Sequence, residues 1–546
     1  MRVQDIARPR TGMLRRTWLV FGASFLIYAF IGWVGAYVLQ TYNRDGLARI
    51  AQAQGVFFSR DPHLAAIGFI WPPLPVLTDL PLVVLLKPIG AVLLAGPLMS
   101  AIYAAFALVQ LSEILHRFGL PSFWRLAWVI AFGAHPLIIQ NGVMGLSESP
   151  FLAFLLLSLN GFTMWENTRK PSGLVWAGVG AALAIYCRYE AVAWAAVVVI
   201  AIVWQLRLRS YKLLGHTVVG SVVGFVAPPL WALLLWIFVN WQIMGNPIYF
   251  LVGPGSTSTT PDTAQAVGSA HPFAFAQGSV AGSGILLVRE IVDLAPLVLP
   301  VTVLLVICVF WRRRWSDLNY LALGWSILGF VFLIAFRGLL PPFSRYFFWI
   351  VPAGVIIAAA CYRAVPSGRL RHGVALGTAL LLLFPTLLLP FQAWSRISDP
   401  FPQRVVGALL LPREINDARQ ARGQLDEFVD VASYLNAQPP GTLTLVDASV
   451  AEPVVFFLKR PRDLVMSTDR DFLDILRSPI GRVDQVLVPF PSFDARGRSD
   501  VIKFYPNLYS GGESWARLVH EFPGPNAWRM YQVVQPEQQR SALPAK

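Results

Sequence analysis

Apolar runs of about 20 residues, separated by short charged clusters, fill most of this chain, and that alternation restricts the fold more than any motif does. A run of that length is what an α-helix needs to cross about 30 Å of hydrocarbon. Eleven such helices are expected, near 17–40, 93–115, 126–140, 148–165, 172–187, 190–206, 214–240, 288–311, 317–336, 346–362 and 373–395. The expected fold class is therefore a polytopic α-helical membrane protein. Residues 76–92, with Pro81, Lys87 and Pro88, are expected to form an interfacial or re-entrant helix instead of a crossing.

Composition removes the competing classes. A hydrophobic content of 55% over 546 residues is more than a soluble globule can hide. The net charge of +14 would suit nucleic acid, but the Lys and Arg residues sit in clusters between apolar runs, so no nucleic-acid partner is expected. Cys187, Cys308 and Cys361 lie within apolar runs without metal-ligand spacing, which gives no disulfide framework and no redox reading. No metal and no cofactor are expected. The basic N-terminus MRVQDIARPRTGMLRR precedes a run too long for a signal peptide and reads as a retained first helix.

Charge distribution gives the topology. Eighteen Lys and Arg fall on the N-terminal side of the expected helices, among them Arg312, Arg313 and Arg314, against eight on the opposite side. The positive-inside rule then puts the N-terminus in the cytoplasm of a multi-pass protein, in a bacterial plasma membrane. The segment from Trp241 to Gly284 carries no Lys or Arg, as suits an exported loop. The long loop 241–285, rich in Gly, Ser, Thr and Ala, reads as a lid, with His271 unassigned.

Two domains are expected: a transmembrane domain over 1–398, with exported loops 41–92 and 241–285, and a small extracytoplasmic α/β domain over 399–546. In the second, strand-like TLTLVD (442–447) and VDQVLVPF (483–490) flank helix-like EPVVFFLKR (452–460) and DRDFLDILR (469–477). No internal repeat is present.

Once the topology is drawn, the polar residues collect on the exported side. The first loop, YNRDGLARIAQAQGVFFSRDPHLAAIGFIWPPLP, brings Asp45, Arg49, Asp61 and His63 between apolar runs and ends in a rigid WPPLP turn. Glu148 opens a helix in GLSESPF, Arg188 and Glu190 sit in YCRYEAV, and Arg345 and Tyr346 stand in PPFSRYFFWIVP. Ionisable groups at bilayer depth cost about 2.5–3.5 kcal/mol each on insertion scales, so they line cavities and carry function. Four such clusters on one side point to a shared polar cavity.

NRDGLAR, the PPLP segment, SES at a helix start, CRYEAV and SRYFFWIVP together resemble the GT-C glycosyltransferases. Those are multispanning enzymes that use polyprenyl-phosphate sugars, protein O-mannosyltransferase-like and aminoarabinose transferase-like members among them. The resemblance covers about residues 40–365 in spacing and order, and such enzymes commonly end in a variable extracytoplasmic domain. Many members carry a paired acidic motif after the first helix, where Arg44 here precedes a lone Asp45.

The resemblance implies an inverting membrane glycosyltransferase that moves a hexose, mannose among the candidates, from a polyprenyl-phosphate donor to an acceptor hydroxyl on a lipid, glycan or protein. Asp45 would be the catalytic base, because a glycosyl phosphate already has a good leaving group and one base suffices. Arg345, then Arg188, would bind the departing phosphate through a planar guanidinium, with Tyr346 as a neutral donor. Glu148, Glu190, His63 and Asp61 complete the substrate- and phosphate-binding candidates.

Each candidate also has a structural reading. Asp45 fits an N-cap of a helix over 46–57. Glu148 fits a first-turn charge, with Ser147 or Ser149 as cap and Pro150 in the first turn. Arg188 and Glu190 are too close in sequence to pair within one helix and fit braces at a helix junction. Arg345 and Tyr346 fit interfacial anchors. The DPH triplet of Asp61 and His63 fits a turn, Trp71 a belt residue, and Arg289 with Asp293 an i,i+4 pair. A transporter or flippase is the alternative function; it would show internal repeats and broken helices, neither of which the sequence displays.

Overall fold

A computed structural model describes residues 11–40, 43–209, 215–253, 256, 273–341, 343–366, 368–388, 423–492, 495, 499–524 and 527–535. Residues 254–255 and 257–272 of the 241–285 loop, His271 among them, and the end of the run expected over 373–395 lie outside the described residues. The chain divides into two compact units. One comprises Met1–Gly35, Pro97–Val239 and Asp262–Glu414; the other comprises Ala36–Gly96, Asn240–Pro261 and Ile415–Lys546.

The helices are α1 (Thr11–Trp33), α2 (Arg44–Phe58), α3 (Leu74–Leu86), α4 (Ala95–Arg117), α5 (Ser122–Gly133), α6 (Pro136–Val143), α7 (Glu148–Thr168), α8 (Pro171–Ile185), α9 (Ala191–Arg209), α10 (Gly215–Met244), α11 (Val280–Leu294), α12 (Val298–Arg312), α13 (Leu318–Phe336), α14 (Ile350–Ala364), α15 (Arg369–Leu388) and α16 (Gly423–Ala437). Among the described residues, seven are long and apolar enough to cross a membrane, or up to nine if each of two bent pairs is one span. The chain is a polytopic helical membrane protein, and its described residues hold seven to nine candidate spans where the sequence suggests eleven. At 13 residues α3 is too short to cross.

The two bends fall where the sequence places proline after an apolar run. α5 and α6 meet at 66° before Pro136, and α11 and α12 at 104° across Pro296. A residue preceding proline is pushed out of the helical region. His135 accordingly has ψ 133° and Ala295 has φ −152°, ψ 79°. The two breaks are tied together: the imidazole Nε2 of His135 lies 2.9 Å from the Leu294 carbonyl, both buried. The apolar runs hide these breaks from the sequence reading, which found no broken helices.

Within the first unit, small residues let helices approach closely. Gly173 on α8 faces α7, where a Cβ would meet the Trp165 amide nitrogen at 2.7 Å; one on Gly180 would meet Ser158 N at 2.5 Å. Near the C-terminal end of α7, buried Glu166 accepts hydrogen bonds from Gln205 (2.8 Å), from Arg363 (3.3 Å) and from the Tyr320 hydroxyl. Arg363 also pairs with buried Asp317. One carboxylate thus ties α7 to α9, α13 and α14.

The second unit contains a five-stranded sheet of β1 (Thr444–Val446), β2 (Leu464–Met466), β3 (Gln485–Val488), β4 (Ala516–Glu521) and β5 (Arg529–Val533), ordered β2-β1-β3-β5-β4. β1 pairs in parallel with β2 and β3, whereas β3–β5 and β5–β4 are antiparallel. Alternate residues point to opposite faces. Leu445, Val465, Val486, Val488 and Tyr531 lie in one apolar cluster with Phe472, Val501 and Trp515. Val446, Leu464, Met466, Leu487 and Met530 lie in another, which draws Phe428, Val431, Ala432 and Leu435 from α16 and Leu47, Ile50, Ala53 and Val56 from α2. The small α/β domain expected at the C-terminus therefore shares its core with residues 47–95.

Replacing Gly180 by valine is expected to force α7 and α8 apart and to cost about 1–3 kcal/mol or more, as overpacking does. Thermal unfolding of the purified protein in detergent, read against wild type, checks this.

Candidate active site

In the first unit, three separated stretches bring charge together. Glu148 opens α7 and is 1% exposed; Arg188 and Glu190 lie in the break between α8 and α9; Arg345 and Tyr346 lie in a single 3₁₀ turn, Ser344–Phe347, before α14. Arg188 Nη1 donates to Glu148 Oε1 at 2.7 Å, while its Nε and Nη2 donate to Glu190 Oε1 at 3.0 and 2.6 Å. Arg345 Nε stands 4.0 Å from the same Glu148 oxygen. The Tyr346 ring lies beside both guanidiniums, its centroid 5.2 Å from Arg188 Cζ and 5.6 Å from Arg345 Cζ.

Sequence spacing excludes a pair of Arg188 and Glu190 within one helix and leaves them as braces at a helix junction, which is where they stand. The backbone leaves the helix after Ile185, so two residues of turn suffice to bring the groups together. Glu148 sits in the first turn, as one structural reading had it, but its carboxylate is engaged by Arg188, and Ser147, the N-cap residue, turns its hydroxyl to Glu148 Oε2 at 3.3 Å. Ser149 is no cap; it donates to the Ser100 carbonyl at 2.8 Å. Two carboxylates and two guanidiniums give a cluster with balanced charge, as a low-dielectric site requires.

Asp45, Asp61 and His63 belong to the second unit. Asp45 is half-buried in the first turn of α2, and the cap is Asn43, whose side chain accepts from the Asp45 amide at 2.9 Å. The capping reading of Asp45 is thereby displaced by its neighbour two residues earlier. One turn on, Arg49 donates to the Asp45 carbonyl at 3.3 Å and lies 4.7 Å from the centre of the Trp71 ring. Asp61 accepts from the backbone N and the Nε of Arg470, both at 3.0 Å. That pairing holds its carboxyl well below the usual range. His63 Nδ1 lies 2.6 Å from the Asp61 carbonyl, so both residues of the DPH triplet are engaged in a turn.

Some buried polar groups escaped the sequence reading. Asp79 on α3 is fully buried, with neither carboxylate oxygen hydrogen-bonded among the described residues. A lone acid inside LTDLPLVVLL was the available signal. Gln140 and Asn141 on α6 are likewise buried without side-chain partners among the described residues. Glu290, which the sequence does single out with Arg289 and Asp293 as an extension of the polar cavity, is 1% exposed, flanked by that pair at 4.0 Å, and without a side-chain hydrogen bond among the described residues.

No family model matches the chain, and no curated protein matches it in sequence. Solved structures do match it. ArnT from Cupriavidus metallidurans bound to undecaprenyl phosphate aligns over 94% of this chain and 98% of its own, at a TM-score of 0.56 and 15% identity. The apo form of the same protein aligns over 95% and 98%, at 0.55 and 14%. The chain thus shares its fold with ArnT over nearly its whole length.

Replacing Glu148 by leucine leaves Arg188 with one carboxylate fewer in a buried setting. Loss of a buried partner costs about 3–5 kcal/mol. A lowered Tm for Glu148→Leu, with Glu148→Gln in between, is the expected result.

Proposed function

We propose that this chain is an inverting glycosyltransferase that moves a hexose from a polyprenyl-phosphate donor to an acceptor hydroxyl on the extracytoplasmic side of the membrane. The observation that carries the reading is the fold shared over almost its full length with a protein crystallised with undecaprenyl phosphate. The positive-inside asymmetry supports the orientation.

Asp45 is assigned as base. It takes the acceptor's hydroxyl proton while the acceptor oxygen attacks the anomeric carbon opposite the phosphate; the carbon–oxygen bond to phosphate breaks and its electron pair leaves with the lipid phosphate. The leaving group gains negative charge, which a fixed guanidinium stabilises. Arg188 is already clasped by two carboxylates at 2.7 and 2.6 Å, so the phosphate is assigned to Arg345, with Tyr346 beside it as a neutral donor. Glu148, Arg188 and Glu190 then set the shape and charge of the wall behind Arg345. Asp61 and His63 are assigned to the turn that follows α2.

A second reading, a transporter or flippase of a lipid-linked substrate, is favoured by the helix pairs bent by 66° and 104°. Transfer of radiolabelled hexose from polyprenyl-phosphate donors by the purified protein separates the two. Asp45→Asn is expected to lower transfer by about 10²–10⁴-fold with donor binding retained, the range of a lost general base. Undiminished transfer would remove Asp45 from that role, and no transfer by wild type from any donor would favour the transporter. Arg345→Lys keeps the charge but loses the planar fork, and is expected to weaken donor binding roughly tenfold or more in a direct binding assay.

A further inference from the structure

The helix that carries Asp45 shares an apolar core with the C-terminal sheet. Leu47, Ile50, Ala53 and Val56 recur at threes along α2 and wind about half-way round it, and all four are buried in the cluster that contains Phe428, Val431 and Leu435 of α16 and Val446, Leu487 and Met530 of the sheet. Within that cluster α2 packs against the 3₁₀ segment Glu452–Phe457, which lies between β1 and β2.

Just past the C-terminal end of α2 a second contact fixes the same helix. Arg60 Nε donates to Asp469 Oδ2 at 3.1 Å, and Arg60 Nη2 also reaches Asp471. Asp61 accepts from Arg470, which lies between those two acids in sequence. A plus–minus dyad therefore meets a minus–plus–minus triplet, in register, after 409 residues of intervening chain. Asp469 is buried, with a side chain 1% exposed, whereas the Arg470 side chain is 73% exposed. Exposed pairs contribute little to stability. Their order along the two segments specifies position instead.

Fifteen helical residues separate this latch from the end that holds Asp45, a lever of about 22 Å. A swing of about 3° at the latch moves the far end by about 1 Å, and a misplacement of that size can cost about 10²-fold in rate. We propose that the C-terminal sheet is the mount of α2, and that Arg60–Asp61 against Asp469–Arg470–Asp471 fixes where Asp45 stands during transfer. Asp61 and Arg470 are positioning residues in this scheme, which rests on Asp45 as base.

The test is a charge exchange in the full-length protein: Asp61→Arg, Arg470→Asp, and both together, which sets two positive residues against three negative ones. Two readouts are taken, hydrogen exchange over residues 44–58 and steady-state transfer from a polyprenyl-phosphate hexose. Each single variant is expected to lose exchange protection in α2 and about tenfold to hundredfold in kcat, with KM for the donor within about twofold, and the double variant to regain both. Unchanged protection and unchanged kcat in the singles overturn the mount. If the singles lose protection that the double variant regains while kcat stays at wild type throughout, the mount stands and the assignment of Asp45 as base falls.

Discussion

Charge in a medium that does not solvate charge has to be answered by charge, and the first unit is arranged around that requirement. Arg188 is answered by Glu148 and Glu190, and Arg363 by Glu166 and Asp317. Each group gathers stretches far apart in sequence: the first ties the start of α7 to the α8–α9 break, with Arg345 and Tyr346 beside it, and the second ties the other end of α7 to α13 and α14. Removing water from such groups costs several kcal/mol per ion, which their mutual attraction offsets only when the geometry is tight. The helices between the two clusters have little freedom to slide.

Much of the architecture could be read from the chain because it depends on composition over windows of about 20 residues. The apolar runs, the C-terminal change of character, the strands at 444–446 and 485–488 and the helix at 472–477 are local properties. Five short motifs in order resemble aminoarabinose transferase-like enzymes, and the fold found is shared with ArnT. What the sequence concealed is tertiary. Pro136 and Pro296 bend runs that remain uniformly apolar, so hydropathy counts one straight helix where there are two at an angle. Asn43 caps α2 in place of Asp45, since the choice between neighbouring capping residues depends on where the helix starts.

The candidate site was legible as residue types and not as pairings. Glu148, Arg188, Glu190, Arg345 and Tyr346 do come together in one unit, but the contact between Arg188 and Glu190 needed the turn after Ile185 to form. Asp61 and His63 stand out in the sequence because they are polar in an apolar setting; Asp61 is held by Arg470 and His63 by Asp61, and no local pattern announces a contact across 409 positions. Asp79 was missed for the converse reason, one acid within an apolar segment whose depth is set by α2 and by the sheet's cluster.

The shared core of the second unit also dictates an order of assembly. Its apolar cluster joins Leu47 and Ile50 to Met530. During synthesis the first segment emerges long before the last, and every helix from α4 to α15 lies between them. The apolar residues Leu47, Ile50, Ala53 and Val56 of α2 therefore cannot be fully covered until the C-terminal strands arrive. A chain that ends short of Met530 has its spans complete and this apolar cluster still unfilled.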